Sequence, residues 1–439
     1  MRTSMHHNPT SRSIVAIATL AVALGSSTFA FGQDEASNID SGFLFIKAGR
    51  VYVSPDRSIE DGCIIVRDGK IEEIGQRAAK PEGARVIDLS EGTLTAGLID
   101  ANLSAEILAT YRGPENETEC IPHLRVLDAF DAGDPMLERL AAGGVTTVYV
   151  GPEPSSVIGS QGAILRTGGP IEERVIHAAR GVKATIGREP IFRDGFNRGP
   201  FGRVSFMTRR PTTRMGLVWT VRKSFHDAHA LARGEDTGSR GEGSPTDEAI
   251  PILQGILKGD VPLRIQARQL LDIQTAFRIG QEFGLDFILE EGTEAPRCIE
   301  AIKANNVPVI YGPIYDYPRG FRASSGEVDR RRLSGATELL DAGVTLALSA
   351  GDLAADAPLA EQASFAMRYG MTRKQALAAV TTTPAKILGL GEAAGKLERG
   401  AGANLVLWTG EPFEATTRAA LVIVNGHVVF DRTEEGETK

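Results

Sequence analysis

The chain has 439 residues, of which 42% are hydrophobic and 24% are charged, the balance of a folded globular protein. Its formal net charge of −8 argues against a nucleic-acid partner, because binding to nucleic acid needs a concentrated basic surface, and none can be read from the chain. The length suits one large domain or two of ordinary size.

The first residues have the pattern of a secretory signal peptide. A basic start precedes an apolar run from Ile14 to Leu24, and Ala30-Phe31-Gly32 provides a small-x-small cleavage site. The run is too short to cross the ~30 Å hydrocarbon core of a bilayer, and no later segment is apolar enough. We therefore expect residues 1–32 to be removed, no membrane span after cleavage, and a periplasmic or secreted mature protein.

Both ends of the remaining chain have the pattern of short β-strands. Asp68-Gly69 and Asn425-Gly426 each lie between two apolar runs, and such dipeptides are typical of tight hairpins. We therefore expect residues 33–92 and 396–439 to form one composite β-sandwich.

Between these ends the sequence alternates strands with helices. Eight strand candidates are Thr93–Ile99, Val145–Val150, Gly162–Leu165, Val182–Ile186, Leu263–Ala267, Asp286–Glu290, Pro308–Tyr311 and Val344–Ser349. Strand–helix units in this number favour a parallel, TIM-like (β/α)8 barrel over residues 93–395, with a doubly wound sheet as the alternative. The barrel accounts both for the strand count and for the return of both chain ends to one outside sheet.

Two stretches interrupt this alternation. Residues 187–214 carry seven arginines, and residues 234–247 are polar and Gly-rich, as in a mobile loop. The Arg-rich loop could grip an anionic ligand, or it could be a solvated or subunit-contacting loop. The three cysteines, Cys63, Cys120 and Cys298, are too far apart to form a disulfide framework, and we expect them to be small buried residues.

Several segments resemble a known family when they are taken in order. Ala96 to Ser104 reads Ala-Gly-Leu-Ile-Asp-Ala-Asn-Leu-Ser, and Glu290 to Ala295 reads Glu-Glu-Gly-Thr-Glu-Ala. With Gly143–Val148, Ile158–Ala163 and Gly395–Gly400, they resemble the amidohydrolase superfamily, in particular its imidazolonepropionase-like and prolidase-like members. The resemblance covers nearly the whole mature chain. It implies hydrolysis of carbon–nitrogen and related bonds by one or two metal ions at the C-terminal mouth of an amidohydrolase-like barrel.

The ligands that the resemblance implies are imidazoles on strands one, five and six and an aspartate on strand eight, holding zinc or another divalent ion. The matching positions here are Asn102, Ser104, Gln266, Arg268, Glu291 and, displaced by one residue, Asp352. Neutral amide and hydroxyl oxygens are weak ligands for a transition metal, and a guanidinium is a fixed cation that would repel one. We therefore expect no metal cofactor.

Opposite charges replace two of the expected imidazoles. Arg268 and Glu291, with Asp352 as a third member, are expected to form an ion pair where the metal would sit, because either charge alone would be costly to bury. The alternative is that one of them points to solvent. His226 and His229 are expected to be a surface pair.

Two functions follow from these replacements. The first is a non-catalytic pseudo-enzyme that binds a small-molecule ligand or a related amidohydrolase subunit in a mixed oligomer. The second is a carbon–nitrogen hydrolase with Glu291 and Asp352 as general acid and base, or with a hard ion held by these two and Asp100. Ser104 lacks the sequence context of a nucleophile and is expected to fill the space left by a histidine.

Overall fold

The computed structural model describes residues 42–115, 118–192, 211–235, 237, 243–315 and 332–433. Contacts divide the chain into Met1–Glu35 and Ala36–Lys439, and every described residue belongs to the second unit. The expected signal peptide, residues 193–210 of the Arg-rich loop, and residues 236 and 238–242 of the polar loop lie outside the described residues.

Seventeen strands are present in the described part of the chain. They are β1 (Phe43–Ser54), β2 (Arg57–Arg67), β3 (Lys70–Gly75), β4 (Arg85–Ala96), β5 (Leu98–Ser104), β6 (Val145–Gly151), β7 (Ile158–Gln161), β8 (Ala163–Arg166), β9 (Val175–His177), β10 (Val182–Thr185), β11 (Leu263–Ala267), β12 (Phe287–Glu291), β13 (Val309–Tyr311), β14 (Leu346–Leu348), β15 (Leu405–Trp408), β16 (Ala419–Val424) and β17 (His427–Asp431).

The described α-helices lie mostly between the later strands. They are α1 (Pro135–Ala142), α2 (Ile171–Arg174), α3 (Glu189–Phe192), α4 (Arg214–Ala232), α5 (Ala249–Lys258), α6 (Leu270–Phe283), α7 (Ile299–Ala304), α8 (Gly335–Asp341), α9 (Leu359–Arg368), α10 (Arg373–Val380) and α11 (Thr382–Leu388). Left-handed glycines end three of them, at Gly259, Gly284 and Gly389. Among the described helices, none has the length and apolar character needed to cross a membrane.

The two ends of the chain meet in one seven-stranded sheet, with the order β17-β16-β15-β4-β1-β2-β3. The predicted hairpins are confirmed: Asp68 and Gly69 have φ values of 47° and 75°, and Asn425 and Gly426 have 49° and 86°. These left-handed turns match the twist of the strands that they join. The expected two-layered sandwich and its boundaries stay a prediction, since the seven strands are hydrogen-bonded as a single sheet.

The predicted strand Thr93–Ile99 is wrong as a single element, because the chain changes sheets at Gly97. Residues up to Ala96 pair with β15, whereas β5 pairs with β6. The Gly97 N–H donates to the carbonyl of Asn404, and a β-carbon on Gly97 would lie 2.1 Å from Thr146 Oγ1. A glycine is therefore required where the two parts of the fold meet.

The other strands form a six-stranded sheet, β14-β13-β12-β11-β10-β7, and a four-stranded sheet, β5-β6-β8-β9. Strands β10 to β14 are parallel, as are β5 and β6. However, β7 is antiparallel to β10 and β8 is antiparallel to β6, so the sheets are mixed and the expected third parallel strand, Gly162–Leu165, is wrong in direction. The connection from β6 to β8, residues 152–162, contains no helix and is shorter than the crossover of about a dozen or more residues that a parallel neighbour requires.

Two sets of contacts join these sheets around a common interior. Asp100 on β5 accepts hydrogen bonds from Ser349 Oγ at 2.7 Å and from the Ala350 N–H at 3.0 Å, just beyond β14. Arg264 on β11 donates to the carbonyl of Ala101 and lies over the ring of Tyr149 on β6. The C-terminal ends of the parallel strands therefore lie along one edge, and the candidate site is built there.

Candidate functional site

Four polar side chains gather at the C-terminal edge of β11 and β12, and we call them the mouth cluster: Glu189, Gln266, Arg268 and Glu291. The Arg268 guanidinium forms ion pairs with Glu291 and with Glu189. Its Nη2 lies 3.2 Å from Glu291 Oε1, and Gln266 Nε2 lies 3.4 Å from Glu189 Oε1. All four side chains are buried or nearly so, so the ion pairs are shielded from water.

The backbone at the end of β12 turns Glu291 towards Arg268. Strands β11 and β12 are parallel, with Ala267 opposite Glu291. Glu291 has a φ of 65°, a left-handed conformation that is uncommon for residues other than glycine, and Gly292 follows with a φ of 50°. Such strain persists only where the surroundings impose it, and the ion pair with Arg268 is one contact that holds the Glu291 side chain in place.

Three of the expected former ligand positions have unpaired polar atoms. Asn102 lies on β5, Ser104 ends the same strand, and Gln266 lies on β11. Each side chain is buried, and Asn102 Oδ1, Ser104 Oγ and Gln266 Oε1 have no hydrogen-bond partner among the described residues. Unpaired buried polar atoms are uncommon in native proteins, so these three call for a bound partner such as water or a ligand.

The two aspartates considered from the sequence lie in different surroundings. Asp100 is buried and accepts hydrogen bonds from three groups, the Asn102 N–H, the Ala350 N–H and Ser349 Oγ. Burial raises the pKa of the Asp100 carboxyl, and the hydrogen bonds from Ser349, Ala350 and Asn102 oppose that rise. Asp352 is only half-buried, in a short 3-10 helix, Gly351–Leu353, that follows β14.

A second charged group lies deeper between the sheets, and we call it the inner cluster: Tyr149, Lys183, Arg264 and Glu290. Arg264 Nε donates to Glu290 Oε1, and Lys183 Nζ lies 3.4 Å from Glu290 Oε2. The Arg264 guanidinium lies 3.6 Å from the centre of the Tyr149 ring. These side chains are at most 3% exposed, which makes this the most deeply buried group of charges in the described part of the chain.

Glu189 and the two cations of the inner cluster are not among the site residues predicted from the sequence. Lys183 and Arg264 each follow the first residue of a short apolar strand and face each other in the parallel register of β10 and β11. A charged residue inside a strand whose sheet is covered on both faces must be buried. That signal could have identified Lys183 and Arg264. Glu189 offered no such signal, because it begins the short helix α3 inside the segment interpreted as an Arg-rich loop.

Other predicted features lie away from this edge. His226 and His229 are exposed on α4, as a surface pair should be. Of the arginines at 187–214, Arg214 begins α4 and pairs with the buried carboxylate of Asp272. All three cysteines are free, Cys63 and Cys120 being buried and Cys298 half-buried, and burial raises the pKa of the Cys120 thiol to about 12.

Comparisons with known proteins agree on one family. A sequence model described as the amidohydrolase family matches residues 272–429. An amidohydrolase named tasK, from Hapsidospora irregularis, is 25% identical over 398 residues, covering 84% of this chain and 40% of its own length. A dihydroorotase from Citrifermentans bemidjiense is 33% identical over 129 residues, covering 27% of this chain and 24% of its own length. The chain therefore spans less than half of either relative.

A solved structure provides a match over its whole length. The crystal structure of an amidohydrolase from Thermotoga maritima MSB8 is 28% identical with a TM-score of 0.75, and the match covers 89% of this chain and 100% of that one. The shared architecture is a TIM-barrel-like α/β fold with an additional domain. The matched family model, the amidohydrolase relatives and this structural likeness together support the amidohydrolase superfamily as the family of this chain.

Proposed function

We propose that this chain is an exported amidohydrolase-family pseudo-enzyme, which uses the site at the C-terminal edge of its parallel strands to bind a small-molecule ligand or a related amidohydrolase subunit. The observation that carries the proposal is the Arg268 guanidinium lying between the carboxylates of Glu291 and Glu189. A fixed cation at positions that the family resemblance assigns to metal ligands supports a site that works without a metal ion.

The donor groups at this edge do not fit the divalent metal that the family uses. Asn102, Ser104 and Gln266 offer neutral oxygens, and the carboxylate of Glu291 is already engaged by a guanidinium. Within the described residues, no group of three or more His, Cys, Asp or Glu side chains is arranged to hold a metal ion.

The alternative is a hydrolase of carbon–nitrogen bonds whose site has been rewired. Its hard-ion form would need Asp100 as a ligand, but both Asp100 oxygens accept hydrogen bonds from protein groups. Its metal-free form would need the Glu291 carboxylate free to act as an acid or base, and that carboxylate is held in an ion pair with Arg268. The contacts of Asp100 and Glu291 conflict with what a rewired hydrolase needs from them, and they therefore favour the pseudo-enzyme.

The deciding experiment measures the metal content of the mature protein after growth with zinc, iron and manganese. We expect metal at background level in the wild type, in Glu291→Ala and in the matched control Glu282→Ala, whose carboxylate pairs with Arg222 at the surface. Near-stoichiometric metal that is lost in Glu291→Ala and kept in Glu282→Ala would overturn the pseudo-enzyme and favour the rewired hydrolase.

Three further parts of the proposal concern architecture and location. The contacts of Asp100 with Ser349 and Ala350 support closure of the two mixed sheets into one barrel. The pattern of residues 1–32 supports export to the periplasm or the outside of the cell, which a mature N-terminus at Gln33, found by mass spectrometry, would establish. A mixed oligomer with an active relative predicts that the two chains co-elute when they are expressed together.

A further inference from the structure

A cavity lies between the loops that follow β5 and β6. Residues 111–115 form one side, residues 152–156, directly after β6, form the second, and side chains of the segment 121–129 form the third. Its volume of about 380 Å³ falls within the range of about 300–1,000 Å³ that is typical of small-molecule pockets. None of its described lining residues belongs to the mouth cluster or to the inner cluster, so it is a separate place in the fold.

The lining of this cavity changes from charged at the opening to uncharged at the base. Its exposed residues are all charged: Arg112, Glu115, Arg125 and Asp128. Its buried residues are all uncharged: Ile121, Val126, Pro152, Ser156, Gly159 and Ser160. An ionised ligand group at the base would be buried without a counter-charge, which is costly. The base therefore favours an uncharged group.

Two of the charges at the opening already satisfy each other. Arg125 Nε lies 3.0 Å from Asp128 Oδ2, and Arg125 Nη2 lies 3.0 Å from Asp128 Oδ1. A guanidinium and a carboxylate joined by two parallel hydrogen bonds need no further ion. This pair therefore gives the opening no preference for a charged ligand of either sign.

The base of the cavity contains a polar atom that calls for a partner. Ser156 is only 3% exposed, and its Oγ has no hydrogen-bond partner among the described residues. Buried polar groups in native proteins are almost always paired. A hydroxyl both donates and accepts, so a ligand hydroxyl can pair with Ser156 in either direction. Ile121 and Val126, both buried, offer apolar contacts to the rest of such a ligand.

We propose that this cavity is a second binding site, which takes a small uncharged ligand with an apolar body and a hydroxyl group that pairs with Ser156. The site goes beyond the proposed function, because it shares no described lining residue with the mouth cluster. Its test uses neither metal content nor hydrolysis, so each proposal can fail separately.

The probes are three molecules of nearly equal shape, 4-fluorobenzyl alcohol, 4-fluorobenzoate and 4-fluorobenzylammonium. Each is titrated with the full chain at neutral pH, and its dissociation constant is measured from the fluorine NMR signal. We expect saturable binding of the alcohol, and binding at least tenfold weaker for both ions, because neither charge finds a counter-charge at the base. No binding of the alcohol, or equal binding of either ion, would refute the site.

Two variants locate the bound alcohol. Ser156→Ala removes one hydrogen bond and should raise the dissociation constant about threefold to tenfold. Ala129→Leu enlarges a lining side chain, fills part of the cavity and should raise the constant at least tenfold. The control is Ser90→Ala, which makes the same chemical change on β4, where the exposed Ser90 hydroxyl donates to Asp88.

Ser156→Ala should be at least as stable as the wild type without ligand, because it removes a buried hydroxyl that has no described partner. If Ser156→Ala or a folded Ala129→Leu binds the alcohol like Ser90→Ala, the alcohol binds elsewhere and the assignment is wrong. Should Ala129→Leu fail to fold, the three probes on the wild type and Ser156→Ala decide the matter without it.

Discussion

Arg268 and Glu291 lie at the ends of neighbouring parallel strands and are joined side by side, with two guanidinium nitrogens on the two carboxylate oxygens. The pair expected from the sequence is therefore present. Glu189 completes it in the structure, and Asp352 lies beyond β14 in its own short helix.

Removing Arg268 and removing Glu291 from the mouth cluster should lower the unfolding free energy by different amounts. Arg268→Met leaves the carboxylates of Glu189 and Glu291 buried without their shared cation, and we expect it to cost about 3–5 kcal/mol of unfolding free energy. Glu291→Gln leaves Arg268 with Glu189 and should cost less, about 1–3 kcal/mol. Urea denaturation of the two variants checks the order. Unchanged stability in Glu291→Gln would show that the pair contributes nothing.

The ion pair between Arg214 and Asp272 ties the start of α4 to the start of α6. Asp272 is only 1% exposed, so Arg214→Met would leave a buried carboxylate without its cation. We expect a loss of about 1–3 kcal/mol, measured by thermal or urea denaturation. Arg222→Met is the matched control on the same helix. Its partner Glu282 is exposed, and such surface pairs contribute ~0.2–1 kcal/mol.

The buried carboxyl group of Asp100 is expected to make the stability of the fold depend on pH. Burial raises its pKa above the ordinary value of 3.8, so the folded chain keeps a proton that the unfolded chain has already lost. The stability that this group contributes is fully present below pH 3.8 and falls as the pH rises through the raised pKa. The difference in unfolding free energy between the wild type and Asp100→Asn should therefore change across this range. A difference that is flat with pH would contradict the raised pKa.

Restoring imidazoles tests whether the mouth cluster occupies the family's metal position. The variant carries four changes, Asn102→His, Ser104→His, Arg268→His and Glu291→His. Because imidazole is a strong ligand for zinc, we expect this variant to retain zinc through desalting, with the parent at background. The same four positions changed to Gln serve as a control for altered packing. Zinc bound equally by the Gln control would mean that the ion sits elsewhere.

Much of the fold could be predicted because its signals are local. The Asp68-Gly69 and Asn425-Gly426 turns depend on residues that accept a left-handed backbone, and the predicted β11 matches the observed strand at both ends. The direction of β8 could not be predicted in this way. A strand's direction depends on which neighbour it reaches, and the apolar run alone is the same in both directions.

The residues of the candidate site also differ in whether a local sequence signal could identify them. Arg268 and Glu291 could be identified because each stands in a recognisable motif on a strand whose register is known. Glu189 could not, since it reaches Arg268 from a short helix inside a segment without apolar periodicity. Lys183 and Arg264 look like solvent-facing charges until the covering of both sheet faces is known, so their burial is a property of the tertiary structure.

The single sheet built from both chain ends sets the time at which the fold can be completed. Trp408 on β15 donates a hydrogen bond to Thr95 on β4, 313 positions earlier in the sequence. At ribosomal rates of about 5–20 residues per second, β4 is synthesised on the order of 15–60 s before the strand that covers its edge. During that interval its backbone groups are open to pairing with other chains. The nascent chain is therefore at greatest risk of aggregation just before its last strands emerge.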